Sequence, residues 1–358
     1  MPLAQFSLVR FRNHAATSLG GLARFNLLVG ENGAGKTNVL EGLSLLAPGR
    51  GLRRAALAEM AMAGGDGSFA VNALMAGEDE LAIGTGTLPG RPNRRVTRIN
   101  GAETSTAQIG EWFAASWLTP AMDRLFTDSA GARRRFLDRL VVALEPVHAR
   151  HASRYEAALR ERNRLLSADT MPEARWFSAV EAQLAEQGAA LAAGRARLVE
   201  ALAGALSAMP DEPFARPELA LDHGGPIHGD ALAEALARGR ERDRAAGRTL
   251  TGPHRSELSV TLAGKGVPAA QASTGEQKAM LIAIVLAHLE LALRERPGLL
   301  LLDEVAAHLD PVRRAALFER LAGMDAQVWL TGTELAPFSD LPADAARWRV
   351  SHGEVTRL

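Results

Sequence analysis

Residues 30–37 read Gly30-Glu31-Asn32-Gly33-Ala34-Gly35-Lys36-Thr37, a G-x-x-x-x-G-K-[ST] octapeptide. Glycines at these positions let the backbone turn its N–H groups inward without Cβ clashes, which makes a concave anion cradle. A helix N-terminus behind the cradle adds a favourable dipole. In such a loop Lys36 reaches β- and γ-phosphates, and the Thr37 hydroxyl sits on Mg²⁺. The chemistry needs a strand before the loop and a helix after it. The apolar run Phe25-Asn26-Leu27-Leu28-Val29 predicts the strand, and Asn38-Val39-Leu40-Glu41-Gly42-Leu43 predicts the start of the helix.

Two later segments supply what a phosphate cradle alone lacks. Leu299-Leu300-Leu301-Leu302-Asp303-Glu304 is an apolar strand ending in two carboxylates. Asp303 is the expected Mg²⁺ partner, directly or through water. Glu304 is placed to orient or deprotonate an attacking water. With His308-Leu309-Asp310 behind it, the block looks like the Walker B motif and D-loop of ABC-type ATPases. Upstream, Ser273-Thr274-Gly275-Glu276-Gln277-Lys278 precedes a long apolar helix, Ala279 to Leu293. Ser273 and Glu276 have capping-box spacing. The same residues look like the ABC signature, in which a Ser hydroxyl and a Gly backbone grip the γ-phosphate of ATP held by another subunit. One segment can serve both ends. In that superfamily the signature does not reach the phosphate loop of its own chain, so ATP is expected to bridge two copies head to tail.

These elements need a scaffold, and composition bounds it. A chain of 358 residues with 47% hydrophobic content supports one large domain or two moderate ones. It has no cysteine, which excludes disulfides and suits a reducing cytoplasm. No apolar run is long enough to span a membrane, and the N-terminus lacks the look of a signal peptide. Forty-one basic residues balance 41 acidic ones, so a uniformly basic DNA-binder is excluded and any DNA surface must come from local clustering. Four arginine clusters qualify: Arg50-Arg53-Arg54, Arg91-Arg94-Arg95-Arg98, Arg133-Arg134-Arg135 and Arg238-Arg240-Arg242-Arg244-Arg248. Arginine favours phosphate forks. Aromatics are scarce at 5%, which argues against base stacking.

Along the chain, residues 1–115 read as short strands around one helix. Val96-Thr97-Arg98-Ile99 ends in an Asn100-Gly101 hairpin turn. Residues 131–208 read as helical, with Leu184, Leu191 and Leu198 repeating every seven residues. Pro210, Pro213 and Pro217 mark the end of that stretch. Strand, helix and strand then return from Leu258 to Leu330. The expected division is an ATPase lobe at 1–125, a helical arm inserted at 126–250, and a second ATPase lobe at 251–358.

The whole chain resembles the RecF family of bacterial recombination and repair ATPases. Leu8-Val9-Arg10-Phe11-Arg12-Asn13-His14 is similar to the family's opening strand and its Phe-Arg-Asn segment. Thr251-Gly252-Pro253-His254-Arg255 is similar to its Gly-Pro-His-Arg segment, and Asp303 through Leu317 to its Walker B region. Pro120 with Arg133-Arg134-Arg135-Phe136-Leu137-Asp138 resembles a further segment, with Asp128 and Ala130 where the family has Gly and Pro. The resemblance implies an α/β ABC/SMC-type P-loop ATPase head with an inserted helical arm, using ATP and Mg²⁺. It implies ATP contacts at Arg12, Gly30 to Asn38, Ser273, Gly275, Glu276, Gln277 and Asp310. It also implies an ATP-dependent homodimer on duplex DNA and gap junctions, with recombination mediator proteins as partners. Weak, DNA-stimulated hydrolysis by such a dimer serves loading of the strand-exchange recombinase, fork maintenance and the SOS response. The rival class is an ABC-type ATPase subunit powering a membrane transporter. Against it stand the helical arm and Thr331-Gly332-Thr333, where transporter ATPases carry a switch His.

Overall fold

The computed structural model describes residues 3–77, 80–170, 172–210, 212–306 and 309–358. The chain forms two compact units, one of Met1–Asp123 with Val285–Leu358 and one of Arg124–Ile284.

The first unit opens with β1 (Gln5–Phe11), β2 (His14–Gly20), β3 (Phe25–Val29) and α1 (Lys36–Ser44). It continues with α2 (Leu57–Met60), β4 (Phe69–Met75), β5 (Leu81–Leu88), β6 (Arg91–Ile99), β7 (Ala102–Glu103), α3 (Thr106–Ile109) and β8 (Ala114–Leu118). The second unit holds α4 (Ala130–Leu144), α5 (His148–Leu166), α6 (Ala174–Ser207), β9 (Pro217–Asp222), α7 (Gly229–Arg238), α8 (Arg240–Ala245), β10 (Glu257–Leu262) and β11 (Val267–Pro268). The boundary falls inside α9 (Thr274–Leu293), after Ile284. Back in the first unit come β12 (Gly298–Leu302), α10 (Pro311–Ala322), β13 (Ala326–Gly332), β14 (Ala346–Ser351) and β15 (Glu354–Arg357).

Two sheets build the first unit. One is antiparallel, in the order β2-β1-β4-β5-β6-β7. The Asn-Gly turn forms as expected: Asn100 (φ 48°) and Gly101 (φ 81°) reverse the chain so that Ile99 faces Ala102. The other sheet runs β15-β14-β3-β13-β12-β8 and is parallel except for β15. Buried Phe6 and Leu8 of the first sheet, Val39, Leu40 and Leu43 of α1, and Leu299, Leu301 and Trp329 of the second share one core. Both faces of β12 and β13 are covered, which explains why they read as unbroken apolar runs. Gly42 lets α1 lie against β1, since a Cβ there would come 2.6 Å from a Leu8 methyl.

In the second unit α6 is the spine. Leu184, Leu191 and Leu198 are all buried along it, so the seven-residue repeat marks a packed face. The boundary after the arm differs from the expected 250. β10 pairs with β9 along six residues, which ties the Gly-Pro-His-Arg segment and the start of α9 to the arm. The long helix of the arm ends at Ser207, and Pro217 opens β9, where its missing N–H suits a strand start.

Candidate nucleotide site

In a parallel sheet the carboxyl ends of the strands are where ligands bind. β3 and β12 flank β13, so the loop after β3 and the acids after β12 emerge on the same edge, with the end of β13 between them. The expected strand–loop–helix is present, although the helix starts at Lys36 rather than Asn38. Gly35 caps α1 at φ 118°, in the region that favours glycine. A Cβ there would sit 2.8 Å from both Asn13 Oδ1 and His14 Nε2. Gly33 is also left-handed (φ 83°), with open space in front of it.

The loop's polar groups are held from several sides. Lys36 Nζ donates to the carbonyls of Gly30 (2.6 Å) and Glu31 (2.9 Å) and lies 3.9 Å from Glu304 Oε1. Burial pulls the Lys36 ammonium below its usual range, and Glu304 and Asp303 push back. His14 Nε2 donates to the Gly35 carbonyl at 3.1 Å, and its Nδ1 shares a 2.9 Å bond with the Thr17 hydroxyl. Burial holds His14 below the usual histidine range. Asn13 Nδ2 donates to the Ala34 carbonyl, as does the Gly353 amide. Asn38 Nδ2 donates to Asn13 Oδ1 at 2.7 Å. The loop borders a cleft of about 610 Å³ whose other wall includes Thr333, Arg349 and His352.

The acids after β12 meet the loop. Thr37 Oγ1 donates to Asp303 Oδ1 at 2.8 Å. Thr331 Oγ1, from β13, also donates to Asp303 Oδ1 at 2.8 Å and accepts from the Glu304 amide at 2.9 Å. One hydroxyl thus fixes both acids. Glu304 is held at φ 54°, a left-handed conformation that costs a non-glycine residue of order 1–3 kcal/mol. Burial raises the Asp303 carboxyl above the usual carboxylate range, while its two threonine donors oppose the shift. A divalent cation would reverse that penalty. A buried carboxylate beside a hydroxyl, with room for phosphate oxygens and water, is the oxygen-rich partial shell that Mg²⁺ takes. Thr37 and Asp303 therefore fit the ion.

Some expected residues play a local part. Arg12 forms a bidentate pair with Glu41 at 2.8 Å to each oxygen. Asp310 caps α10, accepting from the Arg313 amide at 3.0 Å. Ala307 and His308, between Walker B and Asp310, lie outside the described residues. In the second unit, Ser273 and Glu276 complete the capping box: the Ser273 amide and hydroxyl each donate to Glu276 Oε2 at 2.8 Å, and the Glu276 amide donates back to Ser273 Oγ at 3.3 Å. Lys265, followed by the Ser273 bonds, draws the Glu276 carboxyl down to about 2. Gln277 Nε2 donates to the Ala272 carbonyl, and Gly275 lies in the first turn of α9.

Sequence reasoning missed three contributors. Thr331 was noted only for not being histidine. Glu41 is fully buried and holds both Arg12 and Arg53, the latter at 3.1 Å. A lone acid on the apolar face of α1 was its signal. Gly353 reaches the loop from the far end of the sequence and carries no local signal.

A phosphate loop and Walker B acids on one edge of a parallel sheet, with a helical unit inserted between them in sequence, define an SMC-like ABC ATPase head. The profile of the family described as RecF/RecN/SMC N terminal domain matches residues 2–335. The DNA replication and repair protein RecF of Mesorhizobium japonicum is 49% identical, over 99% of this chain and 97% of its own. That of Brucella suis is 44% identical, over 99% and 96%. The chain belongs to the RecF family. A solved structure of the recombination mediator protein RecF with ATP, in the RecFOR pathway, superposes with a TM-score of 0.86 at 25% identity, covering 100% of this chain and 97% of that one. Membership in this family disfavours the transporter alternative. Among the described residues, no helix is long and apolar enough to cross a membrane.

Proposed function

We propose that the protein is an ATP-gated DNA clamp of recombinational repair, acting in the cytoplasm. Lys36 and the loop amides bind the β- and γ-phosphates, and Thr37 and Asp303 hold Mg²⁺, which neutralises charge developing on the transferred phosphoryl group. Ser273 and Gly275 of a second copy dock on the γ-phosphate, so ATP closes a head-to-tail homodimer around duplex DNA near a gap. Glu304 positions the attacking water, and weak hydrolysis reopens the dimer. Family membership supports a role beside recombination mediators in loading the strand-exchange protein. The observation that carries this reading is the bonded set Lys36, Thr37, Asp303, Thr331 and Glu304, which brings two adjacent acids to the phosphate loop.

Light scattering with ATP and gapped duplex provides the test. Glu304→Gln keeps the shape and removes the carboxylate. It is expected to bind ATP, dimerise and stay on DNA longer than the parent, with hydrolysis reduced at least tenfold. A Glu304→Gln protein that hydrolyses at the parental rate, or a parent that stays monomeric with ATP and DNA, contradicts the reading.

A further inference from the structure

The structure treats the four arginine clusters unequally. Arg133 pairs with Glu257 at 2.6 Å and Arg134 donates to the Ser256 carbonyl, so that cluster is engaged inside the second unit. Arg240 is held by the buried Glu181 at 2.5 Å and Arg242 by the Thr251 hydroxyl. The other two clusters lie in the first unit and meet at one place. A cleft of about 370 Å³ is lined by Gly49 and Arg50, from the segment after α1, and by Asn93 and Arg95 of β6. Residues 45–62 and 88–98 carry seven arginines (Arg50, Arg53, Arg54, Arg91, Arg94, Arg95 and Arg98) and one acid, Glu59. Among the described residues, Arg50, Arg91 and Arg98 pair with no carboxylate. Arg94 meets Glu103 at 3.2 Å where both are exposed, a contact worth little in water.

We propose that this basic face grips the sugar–phosphate backbone of duplex DNA and that the grip is coupled to the phosphate loop. The assignment rests on the clamp reading and adds where the DNA lies. The coupling is built from fixed bonds. Arg95 donates to the carbonyls of Gly49 (2.7 Å) and of Leu45, the residue that ends α1, and to Thr85 Oγ1 (2.8 Å). Arg53, four residues past Gly49, reaches back to α1 at Asn38 Oδ1 (2.7 Å) and Glu41. The segment lining the cleft is thereby tied at both ends to the helix that begins at Lys36. Coupling of this kind is reciprocal: whatever DNA does to ATP affinity, ATP does to DNA affinity.

Fluorescence anisotropy of a labelled duplex, titrated at several salt concentrations with ATP present, tests the assignment. One variant combines Arg50→Ala, Arg91→Ala and Arg94→Ala, all exposed side chains outside the nucleotide site. A control combines Arg150→Ala, Arg154→Ala and Arg160→Ala on α5. Each phosphate contact contributes about 0.9 to the slope of log affinity against log salt. The first variant is expected to lose roughly 2–3 from that slope while keeping the parent's ATP affinity without DNA; the control keeps the parental slope. Duplex is expected to change the parent's ATP affinity and to leave the first variant's unchanged. An unaltered slope in the first variant overturns the location. A reduced slope with parental coupling overturns the tie to α1. A parent that binds no duplex with any nucleotide removes the clamp reading itself, and this assignment with it.

Discussion

At the scale of single residues, Thr331 is the one whose role exceeds its visibility. Its hydroxyl donates to Asp303 and accepts from the Glu304 amide, so the acids proposed to hold the metal and to position water share one support. Thr331→Val keeps the volume and removes that support, leaving the part-buried Glu304 N–H without its partner at a cost of about 1 kcal/mol. The expected outcome is a roughly 10- to 100-fold fall in hydrolysis with a much smaller change in ATP affinity, read from kcat and KM separately. Lys36→Met removes the charge at the centre of the loop. A charged hydrogen bond contributes about 1.5–3 kcal/mol, so ATP affinity is expected to fall at least tenfold; tight binding by this variant, measured by calorimetry, removes the phosphate-loop assignment. The meeting of residues 30–37 with Asp303 and Glu304 was legible because both patterns specify residue type and spacing over a short stretch. Thr331, Glu41 and Gly353 were not, because their partners are brought near only by the sheet order.

At the scale of elements, the strands of the nucleotide site and the long helices announced themselves through unbroken leucines and heptad spacing. β9 and β14 did not: each is short, half-exposed and paired with a sequence-distant strand, and β15 is a four-residue edge strand beyond β14. The arm also hides a charged centre. Arg162 is fully buried on α5 and donates to Glu181 Oε1 (3.0 Å), Asp243 Oδ2 (2.6 Å), Thr249 Oγ1 (2.8 Å) and the Leu236 carbonyl (2.8 Å). Four separate segments of the second unit converge on this one guanidinium. Arg162→Met leaves Asp243 without its charge partner, and breaking a buried pair from one side costs about 3–5 kcal/mol. Thermal unfolding is expected to show a destabilised second unit, while ATP affinity at the first unit stays parental. Coincident loss of ATP binding contradicts their separation.

At the scale of the whole molecule, the proposed clamp requires a second copy. Ser273→Arg places a bulky cation where a partner's γ-phosphate docks and leaves Gly30 to Thr37 untouched. Sizing with ATP is expected to show normal nucleotide affinity, no ATP-dependent dimer and no ATP-dependent retention on DNA. If Ser273→Arg still dimerises, residues 273–277 serve only as the helix cap seen in the monomer. The sheet that carries the nucleotide site has a different consequence, for synthesis. β3 delivers the phosphate loop early, yet its two neighbours are β13 and β14, and the Thr17 hydroxyl beside the loop donates to Gly353, 336 positions away. A ribosome adds about 5–20 residues per second, so the loop emerges long before the strands that hold it. A shortened chain lacking residues 346–353 keeps β13 beside β3 but loses β14 and the Gly353 bonds to Ala34 and Thr17. An interrupted message therefore yields a phosphate loop supported from one side only.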